Sequence, residues 1–156
     1  MIQTRGNVAK KLKVGDRAVF TRTFTEADSM AFVGLSGDFN PHHVDAEFCK
    51  LTKFARPIVP GFLVGAMATH IGGQWAVLAA TFHLDFLAPV YVGDTITCEA
   101  TVTEVTKKYR VRVDCVWTNA AGVKVITGHF TGYPPVGKKL AHLHSAKRTS
   151  KPGKKR

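Results

Sequence analysis

Between Gly61 and Ile71 the chain carries Phe62, Leu63, Val64, Ala66, Met67, Ala68 and Ile71, so a helix here is apolar nearly all round. Such a helix has to be buried, and the rest of the chain has to supply its cover. Pro60 suits the first turn, where a missing N–H costs nothing. Gly72-Gly73 is the expected stop. The texture then changes to strands: Ala76–Phe86, Thr95–Thr106, Tyr109–Trp117 and Val123–Tyr133. Two of them alternate cleanly, with Ile96, Cys98, Ala100 and Val102 in one and Val111, Val113, Cys115 and Trp117 in the other. Val92-Gly93-Asp94, Lys107-Lys108 and Asn119-Ala120-Ala121-Gly122 separate them as turns. Upstream, Arg17–Phe24 reads as a strand and Glu26–Leu35 as a short helix with a capping box on Thr25 and Asp28. Asp45–Leu51 forms one or two helical turns with Val44, Phe48 and Leu51 on one side. The packing this order allows is α+β, a curved antiparallel sheet wrapped around the buried helix.

Charge divides the chain into three parts. The formal net charge of +11 suggests a nucleic-acid binder until it is mapped. Residues 1–13 hold four basic residues and 138–156 hold eight, with no acid in either. The remaining ten basic residues face all 11 acids, so the segment 14–137 is near neutral. The expected organisation is a basic N-terminal segment, 1–13, one domain, 14–137, and a disordered basic tail, 138–156. The tail lacks aromatic residues for stacking on bases. It reads as a solvated tail, with nucleic acid or another anionic surface as the alternative partner. Cys49, Cys98 and Cys115 show neither zinc spacing nor a disulfide framework, which points to reduced thiols. The apolar run Ile58–Met67 is too short to span a bilayer. The N-terminus has no apolar signal core, so the expected compartment is the cytoplasm, ahead of a mitochondrial address suggested by the basic, acid-free N-terminus.

The residues with chemistry sit just before the apolar helix. In Leu35-Ser36-Gly37-Asp38-Phe39-Asn40-Pro41-His42-His43 a carboxylate and an imidazole stand five residues apart around an Asn-Pro turn. Asp and His are common general acids and bases near neutral pH. Pro41 keeps one helix from carrying both and biases Asn40 toward extended backbone. Asp38 and His43 therefore read either as a dyad that activates a water or as a turn cap and a histidine bonded to a carbonyl. Asn40 shapes the turn through its side chain. Ser36 is placed to bond Asp38 or nearby backbone. His42 reads as an outward-facing loop residue. Gly61 opens the apolar helix, where free N–H groups and the helix dipole suit a developing oxyanion, or where glycine serves close packing. No histidine pair has metal-ligand spacing, and neither a phosphate-binding glycine fingerprint nor a Gly-x-Ser-x-Gly elbow is present.

Ser36-Gly37-Asp38-Phe39-Asn40-Pro41-His42-His43, followed by Arg56-Pro57-Ile58-Val59-Pro60-Gly61-Phe62-Leu63, resembles the MaoC-like, R-specific enoyl-CoA hydratase family. Asp85-Phe86-Leu87-Ala88-Pro89-Val90-Tyr91-Val92-Gly93-Asp94 is similar to that family's strand-to-turn segment, and the likeness covers about residues 14–135. The resemblance implies a hotdog fold, a homodimer or larger assembly with sites at the subunit interface, and a lyase that adds water to a trans-2-enoyl thioester. The product is an (R)-3-hydroxyacyl thioester, carried on coenzyme A or acyl carrier protein. It implies Asp38 and His43 as the catalytic dyad and Gly61 as the oxyanion donor. Ser36, Asn40, Pro41, Val59 and Phe62 are the supporting and substrate-binding residues, with no metal or redox cofactor. Where many relatives carry His before the glycine, this chain has Pro60. Phe24, Phe32, Phe62, Phe82 and Phe86 are the residues expected to set the depth of the acyl pocket. Two alternatives are a 3-hydroxyacyl-ACP dehydratase of fatty-acid synthesis and a non-catalytic acyl-CoA-binding hotdog protein.

Overall fold

The computed structural model describes residues 11–135; the 138–156 tail and most of the basic N-terminal segment lie outside them. Five strands are present: β1 (Arg17–Thr23), β2 (Leu78–Phe86), β3 (Thr95–Val105), β4 (Val111–Asn119) and β5 (Lys124–Tyr133). They form one antiparallel sheet in the order β1-β3-β4-β5-β2. Alternation decides which face is covered: Ile96, Cys98, Ala100 and Val102 of β3 and Val111, Val113, Cys115 and Trp117 of β4 are all buried. Their intervening neighbours, including Arg112 and Asp114, face outward and are partly exposed. The three thiols are free and buried, and Cys98 is raised well above the ordinary thiol range by its hydrogen bond to Cys115 and by burial. Leu12, within the basic N-terminal segment, is 5% exposed and belongs to the core.

Five helices connect β1 to β2: α1 (Glu26–Ser36), α2 (Pro41–Val44), α3 (Ala46–Lys50), α4 (Gly61–Gly65) and α5 (Met67–Gln74). The capping box forms as expected. The Asp28 N–H donates to Thr25 Oγ1 at 3.1 Å and the Thr25 N–H donates to Asp28 Oδ2 at 3.0 Å. That bond from the Thr25 backbone, ahead of the paired Arg22 guanidinium, holds the Asp28 carboxyl below its usual range.

The apolar helix departs from expectation in two ways. It is not one rod: α4 ends at Gly65, and α5 starts at Met67 after Ala66. Nor does Gly72-Gly73 stop it. α5 runs to Gln74, and the Trp75 N–H still reaches Ile71 O at 3.1 Å. Glycine permits a stop without forcing one; here Trp75, 9% exposed, is packed into the core and the chain turns at Ala76, whose φ is 52°. Only one side is buried. Val64, Gly65, Met67, Ala68, Ile71 and Gly72 face the sheet, while Phe62, Ala66, Thr69 and His70 are exposed. Gly65 packs closely on β2, where an added Cβ would lie 2.6 Å from the tip of the Leu84 side chain and push it aside. Leu51, expected beside Phe48, is 87% exposed because α3 ends at Lys50 and the chain turns away. Among the described residues no helix is long and apolar enough to cross a membrane.

Candidate active site

The Asp38–His43 stretch is held from three directions. α1 ends on Gly37, whose φ of 73° turns the chain out of the helix and whose N–H bonds Val33 O. Ser36 makes both bonds open to it: its hydroxyl donates to Phe32 O at 2.7 Å and accepts the Asp38 N–H at 3.2 Å. The last turn of α1 thus sets the position of the Asp38 backbone. Asn40 caps α2, its Oδ1 accepting the His42 N–H at 3.1 Å, with Pro41 in the first turn. His43 therefore stands on a one-turn helix rather than on an open loop, and Asp38 stays outside it.

A second strap comes from the segment before α4. The Ile58 N–H donates to His42 O at 2.9 Å, and the Val59 N–H donates to Val90 O at 2.7 Å. His43 Nδ1 lies 2.8 Å from Ile58 O. A carbonyl only accepts, so Nδ1 carries the proton in the neutral ring and Nε2 keeps its lone pair. Below α2, the buried Cys49 thiol donates to the carbonyls of His42 and Pro41, at 3.5 and 3.6 Å. His42 does not face outward. Its ring is edge-on to Phe48 and Phe54, at 5.0 and 5.6 Å, and Nδ1 sits 3.0 Å from Asn40 Oδ1.

The result is a carboxylate and an imidazole lone pair facing each other: Asp38 Oδ2 is 3.6 Å from His43 Nε2. The imidazole is 10% exposed and the carboxylate 45%, so one is fixed in the wall and the other is open to solvent. With both atoms accepting, the pair is suited to a donor with two O–H bonds. They line a cavity of about 380 Å³ together with Val59, Gly61 and Phe62. Five of the eight residues singled out from sequence thus share one wall. Ser36, Asn40 and Pro41 sit behind it as supports. Pro60 precedes α4 as its N-cap, its carbonyl accepting from the Leu63 and Val64 N–H groups at 3.0 and 3.3 Å. At Gly61 a Cβ would lie 2.7 Å from the Phe86 ring, so any larger residue displaces a wall of the cavity.

Of the five phenylalanines expected to set the depth, Phe62 and Phe86 line the cavity. Phe24 is fully buried in the core, Phe82 packs on Phe130 at 5.2 Å, and Phe32 lies on α1 away from the cavity. Val64, Leu87, Val90 and Ile126 are among the other apolar residues of the lining, and Lys53 adds a cation. Sequence reasoning missed Ile126 because it looks like any inward strand residue. Leu87 and Val90 were visible only as members of the strand-to-turn segment Asp85–Asp94. Among the described residues no group of His, Cys, Asp or Glu could hold a metal ion.

Three comparisons with known proteins bear on this arrangement. The family model described as "MaoC like domain" matches residues 9–125. The chain is similar to the (R)-specific enoyl-CoA hydratase of Aeromonas caviae, 39% identical over 61% of this chain and 74% of that protein. It is also similar to the enzyme of the same name from Rhodospirillum rubrum, 33% identical over 80% of this chain and 89% of that protein. A mitochondrial 3-hydroxyacyl-[acyl-carrier-protein] dehydratase of Solanum lycopersicum is 33% identical over 80% of this chain and 78% of that protein. In three dimensions, the A. caviae (R)-hydratase involved in PHA biosynthesis superposes with a TM-score of 0.76 at 32% identity, over 81% of this chain and all of that one. The sheet wrapped on its helix is the hotdog fold of these hydratases.

Proposed function

The chain belongs to the MaoC-like domain family, and from that premise we propose that its cavity adds water across a trans-2-enoyl thioester to give an (R)-3-hydroxyacyl thioester. The protein is then a hydro-lyase, and the same site run backward is a 3-hydroxyacyl thioester dehydratase. The observation that carries this reading is the 3.6 Å gap between two lone-pair atoms, His43 Nε2 and Asp38 Oδ2, in the wall of an otherwise apolar cavity.

In this reading a water donates one O–H to each of them. The imidazole takes a proton while the water oxygen bonds to C3 of the enoyl group. The electron pair of the C2–C3 double bond moves toward the thioester oxygen. The Gly61 N–H, at the start of α4, donates to the oxygen where that charge develops, which is where a backbone donor has greatest effect. The imidazolium then returns its proton to C2, so one H and one OH have been added and no electron is gained or lost. Asp38 holds the second O–H and stabilises the imidazolium as it forms. Every step falls to side chains and a backbone N–H, with no metal or redox cofactor. Val59, Phe62, Phe86 and Ile126 take the acyl chain, and coenzyme A or acyl carrier protein stays outside.

A second copy of the chain completes the assembly in this reading. β2 is a sheet edge whose residues are exposed along almost its whole length, with Leu78 at 77%, Phe86 at 50% and Phe82 at 44%. An apolar edge of this length needs a partner, and a homodimer closing on it supplies one. The three buried free thiols suit a reducing compartment, the cytoplasm in this reading. The test is hydration of crotonyl-CoA by the purified chain and by Asp38→Asn and His43→Gln. Loss of about 10³-fold in kcat in each variant is the expected outcome; equal rates in all three proteins overturn the assignment.

A further inference from the structure

Apart from Asp38 and His43, the reaction cavity has one ionisable lining residue among those described, Lys53. The proposed reaction gives it no part. Lys53 stands in the loop after α3, and that loop is held at several points. The Thr52 hydroxyl donates to Cys49 O at 2.9 Å and accepts the Phe54 N–H at 3.2 Å, which folds the chain back on the end of α3. Ala55 follows with a φ of 61°, a conformation that a residue with a Cβ keeps only where its surroundings hold it. Tyr91 does the holding: its hydroxyl donates to Phe54 O at 3.2 Å, and the Arg56 guanidinium lies 4.1 Å from the centre of its ring. Lys53 Nζ lies 5.3 Å from the centre of the Phe54 ring, and Phe54 also lines the cavity.

The neighbouring acids do not neutralise this lysine. Glu47 is paired with Lys50 at 2.6 Å, and Asp45 Oδ1 accepts the Phe48 N–H at 2.9 Å. Glu26 lines the adjoining cavity together with Arg56. Asp38 faces His43. No carboxylate among the described residues pairs with Lys53. The exposed side chains of the cavity lining are of two kinds. Phe62, Phe86 and Leu87 are apolar, and Phe86 belongs to the exposed β2 edge. Asp38 and Lys53 are charged.

We propose that Lys53 binds the phosphate of the phosphopantetheine arm that carries the acyl group, with the Phe54 ring beside it as a face for the arm's apolar stretch. This rests on the thioester reading of the site. The arm is common to coenzyme A and acyl carrier protein. It has amides, a hydroxyl and methyl groups, and the phosphate is its one charged group, so an unpaired ammonium beside it has a single group to pair with. An ammonium acts as a point charge and needs no fixed angle of approach, which suits a flexible chain. An acyl group that fills the cavity sends its carrier out over the rim. In the proposed dimer the apolar rim, joined to the β2 edge, meets the second copy, and the arm leaves past Lys53 and Phe54.

The test is calorimetric titration of the full chain with saturated, unreactive butyryl thioesters, which reads binding independently of hydration. Lys53→Gln should weaken butyryl-CoA and butyryl-phosphopantetheine about tenfold. It should leave butyryl-pantetheine, which lacks the phosphate, unchanged, and Lys53→Arg should restore the native pattern. A butyryl acyl carrier protein should lose as much as butyryl-CoA. Lys50→Gln, at a lysine already paired, should change none of them. Native affinity in Lys53→Gln overturns the proposal, as do equal losses with and without the phosphate, which make the role structural. So does a loss confined to coenzyme A, which assigns the contact to its nucleotide phosphates, or a larger loss in Arg56→Gln, which routes the arm through the adjoining cavity. A chain that binds these thioesters through Lys53 but leaves crotonyl-CoA unhydrated contradicts the reaction alone; one that binds none of them overturns both.

Discussion

Among the described residues there are two carboxylate–imidazole pairs, and they differ in everything but their chemistry. Asp38 and His43 are 3.6 Å apart; Asp85 and His83, on the outer face of β2, are 3.3 Å apart. The outer pair is closer, yet both of its side chains are about three-fifths exposed, at 59% and 61%. Its histidine stacks on His129 at 5.3 Å and faces solvent, whereas the His43 ring is fixed through Nδ1 to a backbone carbonyl and faces a cavity. Proximity of an acid and a base is therefore common and cheap. What distinguishes a reactive pair is a chosen tautomer, an apolar wall beside it and a backbone donor across from it.

The largest effect should come from disabling each pair in turn. Asp38→Asn or His43→Gln is expected to cost about 10³-fold in kcat on an enoyl-CoA, while Asp85→Asn and His83→Gln should leave it unchanged. Equal losses from both pairs in steady-state kinetics would erase the distinction. Next comes the wall. Gly61→Ala drives a methyl group into the Phe86 ring, so kcat should fall about 10²-fold. The same change should cost about 1–3 kcal/mol in a denaturant melt, as overpacking does. A variant with native activity would show that the ring yields freely. A smaller loss is expected from Ser36→Ala, which removes the acceptor for the Asp38 N–H. Activity should drop about tenfold with KM little changed, and Ser36→Thr should restore it.

The smallest effect belongs to the outer face. Burial, followed by the nearby Arg112 and His83, holds His129 below the usual histidine range. The fold therefore favours the neutral ring. Its contribution to stability is complete above the ordinary histidine pKa and fades as pH falls through the lowered one. An NMR titration should place His129 below a free imidazole, and His129→Gln should make the melting temperature less sensitive to mild acid. A His129 titrating at or above the ordinary value contradicts this.

Local chemistry made much of this legible in the sequence. Strand alternation located β3 and β4 to within two residues at each end, because one face is buried and the period is strict. Thr25 with Asp28 announced the start of α1, and Asn40-Pro41 announced the turn that separates Asp38 from His43. What the sequence could not show depends on contacts between distant segments. The break at Ala66 carries no signal in its own side chain, and α5 passes through Gly72-Gly73 to a Trp75 that is packed into the core. The tautomer of His43 rests on Ile58, a carbonyl 15 residues away that carries no side-chain signal. Phe82 and Phe24 looked like pocket residues because composition does not tell which side of a sheet or core a ring will meet.

The most direct test of the central claim is to give the purified chain crotonyl-CoA in oxygen-18-labelled water and analyse the product's chirality and label. The expected result is (R)-3-hydroxybutyryl-CoA carrying the heavy oxygen at C3, with none formed by the Asp38→Asn protein. Unreacted crotonyl-CoA, or a product of the S configuration, would contradict the account.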